Sequence, residues 1–380
     1  MEAQSLDIWS ILIIIGLAQG IFVLSLMILK QQVRKHNTWL FLLLITMIWF
    51  QAEFLSIRYP VNIGVSIFYG TRYGSWLLLG PLFLLYIWSA TGRRVKWRQI
   101  FIHLAPFILL ALLVPLAMDG ILNFRQIHYG MLTPFDAYNQ EVTALQFFYS
   151  AVFMGQYIHF LAYLVFISVY LKNYEKQLRT TYSNYEGETY RWFGLATLSM
   201  YLVLGFATVF LTLLFFTQIY RRHLDYIYVL PMSVLVYLVS YKLAGVQWSR
   251  PVMEEQKKYH KSSLRVKEAA LLAIRVVDFF DSGKPYLNNG LRLQDISSQL
   301  EIPNHHLSQL LNQQLQTTFF DFVNAKRVAA AQKFIEDKPS ATLLEIAFDS
   351  GFNNKTSFVN AFKKHAGMTP SAYRKQLIFA

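Results

Sequence analysis

Apolar residues in the first two-thirds of this 380-residue chain fall in long unbroken runs rather than in alternation. Crossing about 30 Å of hydrocarbon takes roughly 20 mostly apolar residues in a helix. Seven stretches meet that requirement, at about 8–29, 38–57, 65–88, 100–118, 146–170, 193–218 and 226–246. Pro106 and Pro115 interrupt the fourth, and Lys242 sits near the end of the seventh. Residues 247–262 are then a polar link, with Pro251 near its start. After it Val266, Ala269, Ala270, Ala273, Ile274, Val277 and Phe280 recur at three- and four-residue intervals. That spacing predicts an amphipathic helix ending near Asp281-Ser282-Gly283. The pattern therefore predicts an all-α chain. A seven-helix transmembrane bundle occupies 1–246, a linker 247–262, and a soluble domain 263–380.

Within the soluble domain, Lys284-Pro285-Tyr286-Leu287 reads as a turn. A short helix follows from about Leu293 to Leu300, then a turn at Glu301-Ile302-Pro303, then a helix over about 304–315. Leu307, Leu310 and Leu311 share one face of that helix, while His305, Ser308, Gln309 and Asn312 share the other. A longer helix is predicted over about 319–336, carrying Phe322, Val323, Val328 and Phe334. The plan then repeats. Leu343–Asp349 is a helix in which Ala347 leaves room for a neighbour, and Gly351 permits a left-handed turn. Asn354 caps a helix over about 355–365. Phe358 and Phe362 face inward there, and Lys355, Thr356, Val359, Asn360 and Lys363 face outward. Two such helix pairs joined by one helix suit two readers entering successive major grooves on one face of double-stranded DNA.

Charge sharpens this division. Only 15% of residues are charged, against about 25% in soluble domains. Residues 250–380 nevertheless carry 18 Lys/Arg against 12 Asp/Glu, and no acid follows Asp349. A basic terminal segment suits a polyanion, though a solvated surface would look the same. There are no cysteines, which excludes disulfides and thiolate zinc sites. The N-terminus lacks a basic n-region and a small-residue cleavage pattern, so the first apolar run is expected to be retained.

Basic loops set the expected orientation. The first loop holds Lys30, Arg34 and Lys35, the third Arg93, Arg94, Lys96 and Arg98, and the fifth Lys172, Lys176, Arg179 and Arg191. The even loops hold little, except for Arg221 and Arg222 in the sixth. The N-terminus is thus expected outside an inner (cytoplasmic) membrane, crossed seven times, with the soluble domain in the cytoplasm.

Polar groups inside spans are expensive. Glu53 and Arg72 fall at similar depth and read as an ion pair fixing helix packing, or alternatively as part of a ligand site. Gln156 and His159 share a face of the fifth span and read as interhelical hydrogen bonders, or as ligand contacts. Gly16/Gly20 and Gly70/Gly74 form two GxxxG patterns, which serve packing within a bundle or between copies.

The segment IAFDSGFNNKTSFVNAFKKHAGMTPSAYRK (346–375) closely resembles the signature of AraC/XylS-type regulators: Ile346-Ala347, Gly351-Phe352, Phe358, Phe362-Lys363, Gly367, Thr369-Pro370 and Tyr373-Arg374. The upstream LSQLLNQQLQTTFFDFVNAKRV resembles that family's first recognition helix and linker helix. The likeness covers 284–376, about a quarter of the chain. It implies a two-unit DNA reader acting as a transcription regulator, and implies nothing about residues 1–246. In the first unit Ser297 and Glu301 stand where Ala347 and Gly351 stand in the second. A glutamate in a left-handed turn costs on the order of 1 kcal/mol, so either that turn differs or the unit tolerates strain.

Carried over residue by residue, the resemblance implies base contacts at His305, Ser308, Gln309 and Asn312, and at Lys355, Thr356, Val359 and Asn360. Phosphate contacts fall at Lys363, Lys364 and Arg374. The expectation is a membrane-embedded regulator without enzymatic activity, cofactor or metal. Its partners are double-stranded DNA, the lipid bilayer and an unidentified small-molecule or lipid signal, with a homodimer left open. The alternative is a transporter or membrane enzyme with a regulatory DNA-binding tail. No HExxH, phosphate loop, nucleophile–base spacing or inverted repeat supports it. A bare membrane anchor is a third reading, but one span would serve for that.

Overall fold

The computed structural model describes residues 6–30, 37–59, 74–118, 144–183, 187–216, 226–245 and 266–379. Where they are described, the apolar runs form helices and so satisfy their backbone within the segment, as a bilayer interior demands. Among the described residues the chain is all-α. It forms two compact units, Met1–Leu171 with Arg191–Glu254, and Lys172–Tyr190 with Glu255–Ala380.

In the first unit, helix α1 (Ile8–Leu29) is capped by Asp7, whose Oδ1 accepts from the Ser10 amide at 2.7 Å. It packs on α2 (Thr38–Arg58) and α7 (Tyr226–Gly245), and α2 also packs on α3 (Trp76–Ala90). Helix α4 (Trp97–Met118) lies against α3, and α5 (Ala144–Thr181) as far as Leu171 and α6 (Gly187–Phe216) from Arg191 complete the set. Gly16 and Gly20 make the close approach possible. A Cβ on Gly16 would lie 2.5 Å from Ser233 Cβ, and one on Gly20 2.7 Å from Ile48 Cγ1. This glycine pair therefore serves packing inside the bundle. Gly70 lies outside the described residues. Helix α3 is buried almost all round, from Trp76 to Ser89. The outward faces of α1, α5, α6 and α7 expose Ile15, Phe22, Ile158, Phe166, Leu195, Leu202, Val234 and Tyr237. A face so apolar suits hydrocarbon better than water.

Among the described residues four helices are long and apolar enough to cross a membrane: Ile8–Leu29, Thr38–Ser56, Met154–Thr181 and Tyr190–Phe210. In the other three predicted spans the apolar helices are shorter, at Trp76–Ala90, Trp97–Ala111 and Val229–Val239. Residues 65–73 of the third predicted span lie outside the described residues, as does the 247–262 link.

In the second unit, α8 (Val266–Gly283) runs into a 3-10 turn (Pro285–Leu287). Then follow α9 (Leu293–Leu300), α10 (Asn304–Gln313), α11 (Phe319–Asp337), α12 (Leu343–Asp349), α13 (Lys355–Ala366) and α14 (Pro370–Phe379). Periodicity anticipates all of these but α14. Two cores hang on α11. Its Phe319 and Val323 join Phe280, Ile296, Leu307 and Leu310 in the first. Its Val328, Ala331 and Ile335 join Ile346, Phe352, Phe358 and Phe362 in the second.

Candidate nucleic-acid interface

Each core holds one helix pair with a tight turn, and the two turns close in the same way. The Ile302 amide donates to Ser297 O at 3.0 Å, and the Phe352 amide donates to Ala347 O at 2.9 Å. Gly351 has φ +90°, and a Cβ there would meet Tyr286 O at 2.4 Å, so only glycine fits. The matching Glu301 is indeed left-handed, with φ 55°. The turn keeps its shape and the first unit carries the strain. Ser297 offsets part of it, because its hydroxyl donates to Ile302 O at 2.6 Å across the turn.

Caps fix where the following elements start. Asn354 Oδ1 accepts from the Ser357 amide at 2.8 Å, opening α13. Thr342 and Glu345 form a reciprocal capping box on α12, at 2.6 and 3.2 Å. Thr318 accepts from the Asp321 amide at the start of α11.

On α10, Leu307, Leu310 and Leu311 are buried, while His305 and Asn312 are exposed and Ser308 and Gln309 are half-buried. Their polar groups are tied to the helix itself. Gln309 Nε2 donates to Gln313 Oε1 at 2.9 Å, and Asn312 Nδ2 donates to Ser308 O at 2.8 Å. Such exposed contacts exchange readily for base edges. Slight desolvation and the neighbouring His306 hold the His305 imidazole below its ordinary pKa, so it is neutral near pH 7. The rings of His305 and His306 lie 4.1 Å apart.

On α13, Lys355, Thr356 and Asn360 are exposed, and Val359 is half-buried against the second core. The face of α10 carries no charged residue, whereas α13 carries Lys355, Lys363 and Lys364. Lys363 is exposed. Lys364 Nζ donates to Asp321 Oδ1 at 2.6 Å and must exchange that partner to reach a phosphate. Burial pushes Asp321 up, but Lys364, Thr318 and Arg179 outweigh it and hold the carboxyl below its ordinary range. Arg374 is half-buried, and its Nε and Nη2 are covered without a partner among the described residues.

The residue at the seam between the two helix-turn-helix units is Arg327, which sequence reading passes over. Its side chain is 0% exposed, its guanidinium carbon is 5.8 Å from the Phe352 ring centre, and Nε donates to Tyr286 O at 2.7 Å. Burial lowers its pKa to about 10, which leaves it charged at neutral pH. A buried cation on the polar side of an otherwise apolar linker helix has no period to betray it.

In the apolar half, Glu53 is 4% exposed, but Arg72 lies outside the described residues, so their pairing does too. Gln156 is 1% exposed, and neither of its amide atoms has a partner among the described residues. His159 is half-buried with its ring 4.8 Å from that of Tyr163. Gln51, which sequence reading did not single out, is fully buried and accepts from Ser233 Oγ at 3.1 Å. Among the described residues no His/Cys/Asp/Glu group could hold a metal ion.

Two helix-turn-helix units on one linker helix define a DNA-binding fold, and comparison with known proteins agrees. A helix-turn-helix domain family matches residues 296–376. The melibiose operon regulatory protein of Escherichia coli K12 is 22% identical over 138 residues, 36% of this chain and 43% of that protein. The probable transcription factor PqrA of Proteus vulgaris is 27% identical over 88 residues, 23% of this chain and 71% of that protein. The Msm operon regulatory protein of Streptococcus mutans is 26% identical over 89 residues, 23% of this chain and 32% of that protein. The chain thus spans less than half of the melibiose regulator. Residues 296–376 therefore match a helix-turn-helix domain, and none of these relatives is named as an enzyme.

Proposed function

We propose that the chain is a membrane-embedded, sequence-specific transcription regulator whose apolar helices sense a signal and adjust the grip of the AraC-type domain on DNA. The observation that carries this reading is the pair of helix-turn-helix units in a chain with four helices long and apolar enough to span a bilayer. Counted with the three shorter apolar helices they make seven, an odd number that sets the termini on opposite sides, and the basic odd-numbered loops favour the C-terminal domain in the cytoplasm. Base edges are read by His305, Ser308, Gln309 and Asn312 from α10 and by Lys355, Thr356, Val359 and Asn360 from α13. Lys363, with Lys364 and Arg374 once released from their present positions, holds phosphates. That three relatives are named as operon regulators or a transcription factor supports this assignment.

For the sensing half, Gln156 supports a ligand site. A buried amide with no partner among the described residues costs about 1–3 kcal/mol, and a small molecule or lipid offering one donor and one acceptor would recover it. The test is selection from a random DNA library by the full-length protein in lipid nanodiscs. The expected product is a motif with two half-sites about one helical turn apart. No enrichment over empty nanodiscs would contradict the reading.

A further inference from the structure

The compact unit that holds the DNA reader contains a segment from far outside the helix-turn-helix domain. Residues Lys172–Tyr190 follow the fifth apolar run and belong to the same compact unit as the DNA reader. The fifth helix continues beyond Leu171 to Thr181, and the next two residues are seated in the reader. Ser183 is 1% exposed. Its hydroxyl donates to Leu291 O at 2.6 Å, and its amide donates to the same oxygen at 3.3 Å. Tyr182 forms an antiparallel bridge with Arg292, whose guanidinium carbon lies 5.7 Å from the Tyr182 ring centre. Arg179 stands 5.2 Å from the ring centre of Phe320 on the linker helix.

What makes this contact more than surface packing is where it ends. Arg327 Nη1 donates to Ser183 O at 3.2 Å, and Nη2 donates to Ser183 Oγ at 3.2 Å. Its two other bonds go to Tyr286 O and to Asn288 O, at 2.7 and 2.9 Å, beside the first unit. Phe352 and Gly351 of the second unit lie against the same guanidinium. One buried side chain therefore touches the segment that leads into the first helix-turn-helix unit, whose Tyr286 joins that unit's core, together with the second unit and the loop between the fifth and sixth runs. Half of its hydrogen bonds come from that loop. A buried cation stripped of half its acceptors is destabilising, so leaving the seat admits water or shifts the seam.

We propose that Tyr182-Ser183 is an intramolecular strap, seated on Arg327, through which the apolar half of the chain sets the relative pose of the two helix-turn-helix units. With the strap seated, Arg327 makes four hydrogen bonds and both helix-turn-helix units are held in one pose. With it withdrawn, the seam is freer, and the second unit loses effective concentration at its half-site. This rests on the reading that residues 263–380 bind DNA with both units. It also requires the 5–6 loop and the C-terminal domain to share a compartment, as the basic loops independently suggest.

The chain has no cysteine, so a Tyr182→Cys/Arg292→Cys pair can be trapped without background. Opposed residues of an antiparallel bridge lie about 4.5–5.5 Å apart at Cα, within disulfide range. The double variant and the unmodified protein would be studied full-length in lipid nanodiscs, on the DNA that the unmodified protein selects. Oxidation should form the intrachain disulfide, mapped by mass spectrometry. It should tighten binding to DNA with both half-sites by about fivefold or more over the reduced form. DNA with one half-site scrambled should show no change. Ser183→Ala, made alone, should weaken two-site binding about threefold and leave one-site binding unchanged. No disulfide, or equal two-site affinity in both forms together with a silent Ser183→Ala, would overturn the strap. If the unmodified protein selects no DNA at all, the two-unit reading itself fails and takes the strap with it.

Discussion

Replacing Gly351 by alanine isolates the seam between the two helix-turn-helix units. Two effects act there. The backbone has φ +90°, where any L side chain is strained by about 1–2 kcal/mol. The new methyl would also stand 2.4 Å from Tyr286 O, 2.9 Å from Arg327 Nε and 3.0 Å from Leu287 O. Two of these are backbone atoms that cannot rotate away, and forcing a methyl into such a place costs about 1–3 kcal/mol more. Gly367 supplies the control. Its φ is +77°, and nothing lies within 4 Å of a Cβ built there, so Gly367→Ala suffers only the first effect. Pulse proteolysis of the full-length protein in urea, following loss of the C-terminal domain, would measure both. Gly367→Ala should destabilise that domain by about 1–2 kcal/mol and Gly351→Ala by about 2–5 kcal/mol. Equal midpoints for the two variants would refute the claim that the backbone of the Pro285–Leu287 turn packs directly on Gly351.

Three further outcomes are expected. Gln309→Ala and Asn360→Ala should each broaden the base preference at one position of the selected motif, while Lys363→Ala should weaken all sequences alike and lower the salt slope by about one; unchanged selection profiles and salt slopes for all three would contradict the placement. Glu301→Gly should stabilise the C-terminal domain by on the order of 1 kcal/mol by releasing the left-handed turn at φ 55°, and the same proteolysis midpoint reads it. On acidification, stability should fall in two stages. Burial, and then Lys364, lower the pKa of His365, so that contribution fades below about pH 6.5, where the unfolded histidine takes a proton first. Asp321, with its folded pKa also lowered, contributes fully above about pH 3.9 and loses its contribution as pH falls through the folded value. Asp321→Asn should shrink the lower stage, to which Glu345 also contributes, and should lower the His365 pKa further by removing a carboxylate that raises it.

Much of the C-terminal domain is legible in its residues. Leu307, Leu310 and Leu311, or Phe358 and Phe362, repeat at helical spacing because one face must be buried, and the observed helices follow. Helix α14 escapes this reading because Pro370–Phe379 has no clear apolar stripe. The left-handed Glu301 escapes it as well. Local sterics argue against that conformation, and the Ser297–Ile302 bond that favours it forms only once the turn is closed. In the apolar half, hydropathy locates the helices but does not measure them. Helix α3 is apolar over Trp76–Ala90 because it is buried by its neighbours, a different cause from facing lipid. The seat of Ser183 on Arg327 lies furthest from view. A Tyr-Ser pair in a polar loop has no period, and its partner stands 144 residues away. For the interface, residue chemistry picks out the exposed faces of α10 and α13. It misses that Lys364 is held by Asp321, since that pairing depends on the crossing of α11 and α13.

The central claim is that an intact chain, held in a membrane, reads specific DNA. It is tested most directly by chromatin immunoprecipitation and sequencing of the full-length, tagged protein in its native host. The membrane fraction should carry all of the tagged chain. The account predicts discrete enriched sites in that preparation that share one two-half-site motif, and their loss in a Gln309→Ala/Asn360→Ala variant that remains in the membrane at normal level. Enrichment that follows no motif, or discrete sites that persist unchanged in the variant, would contradict it.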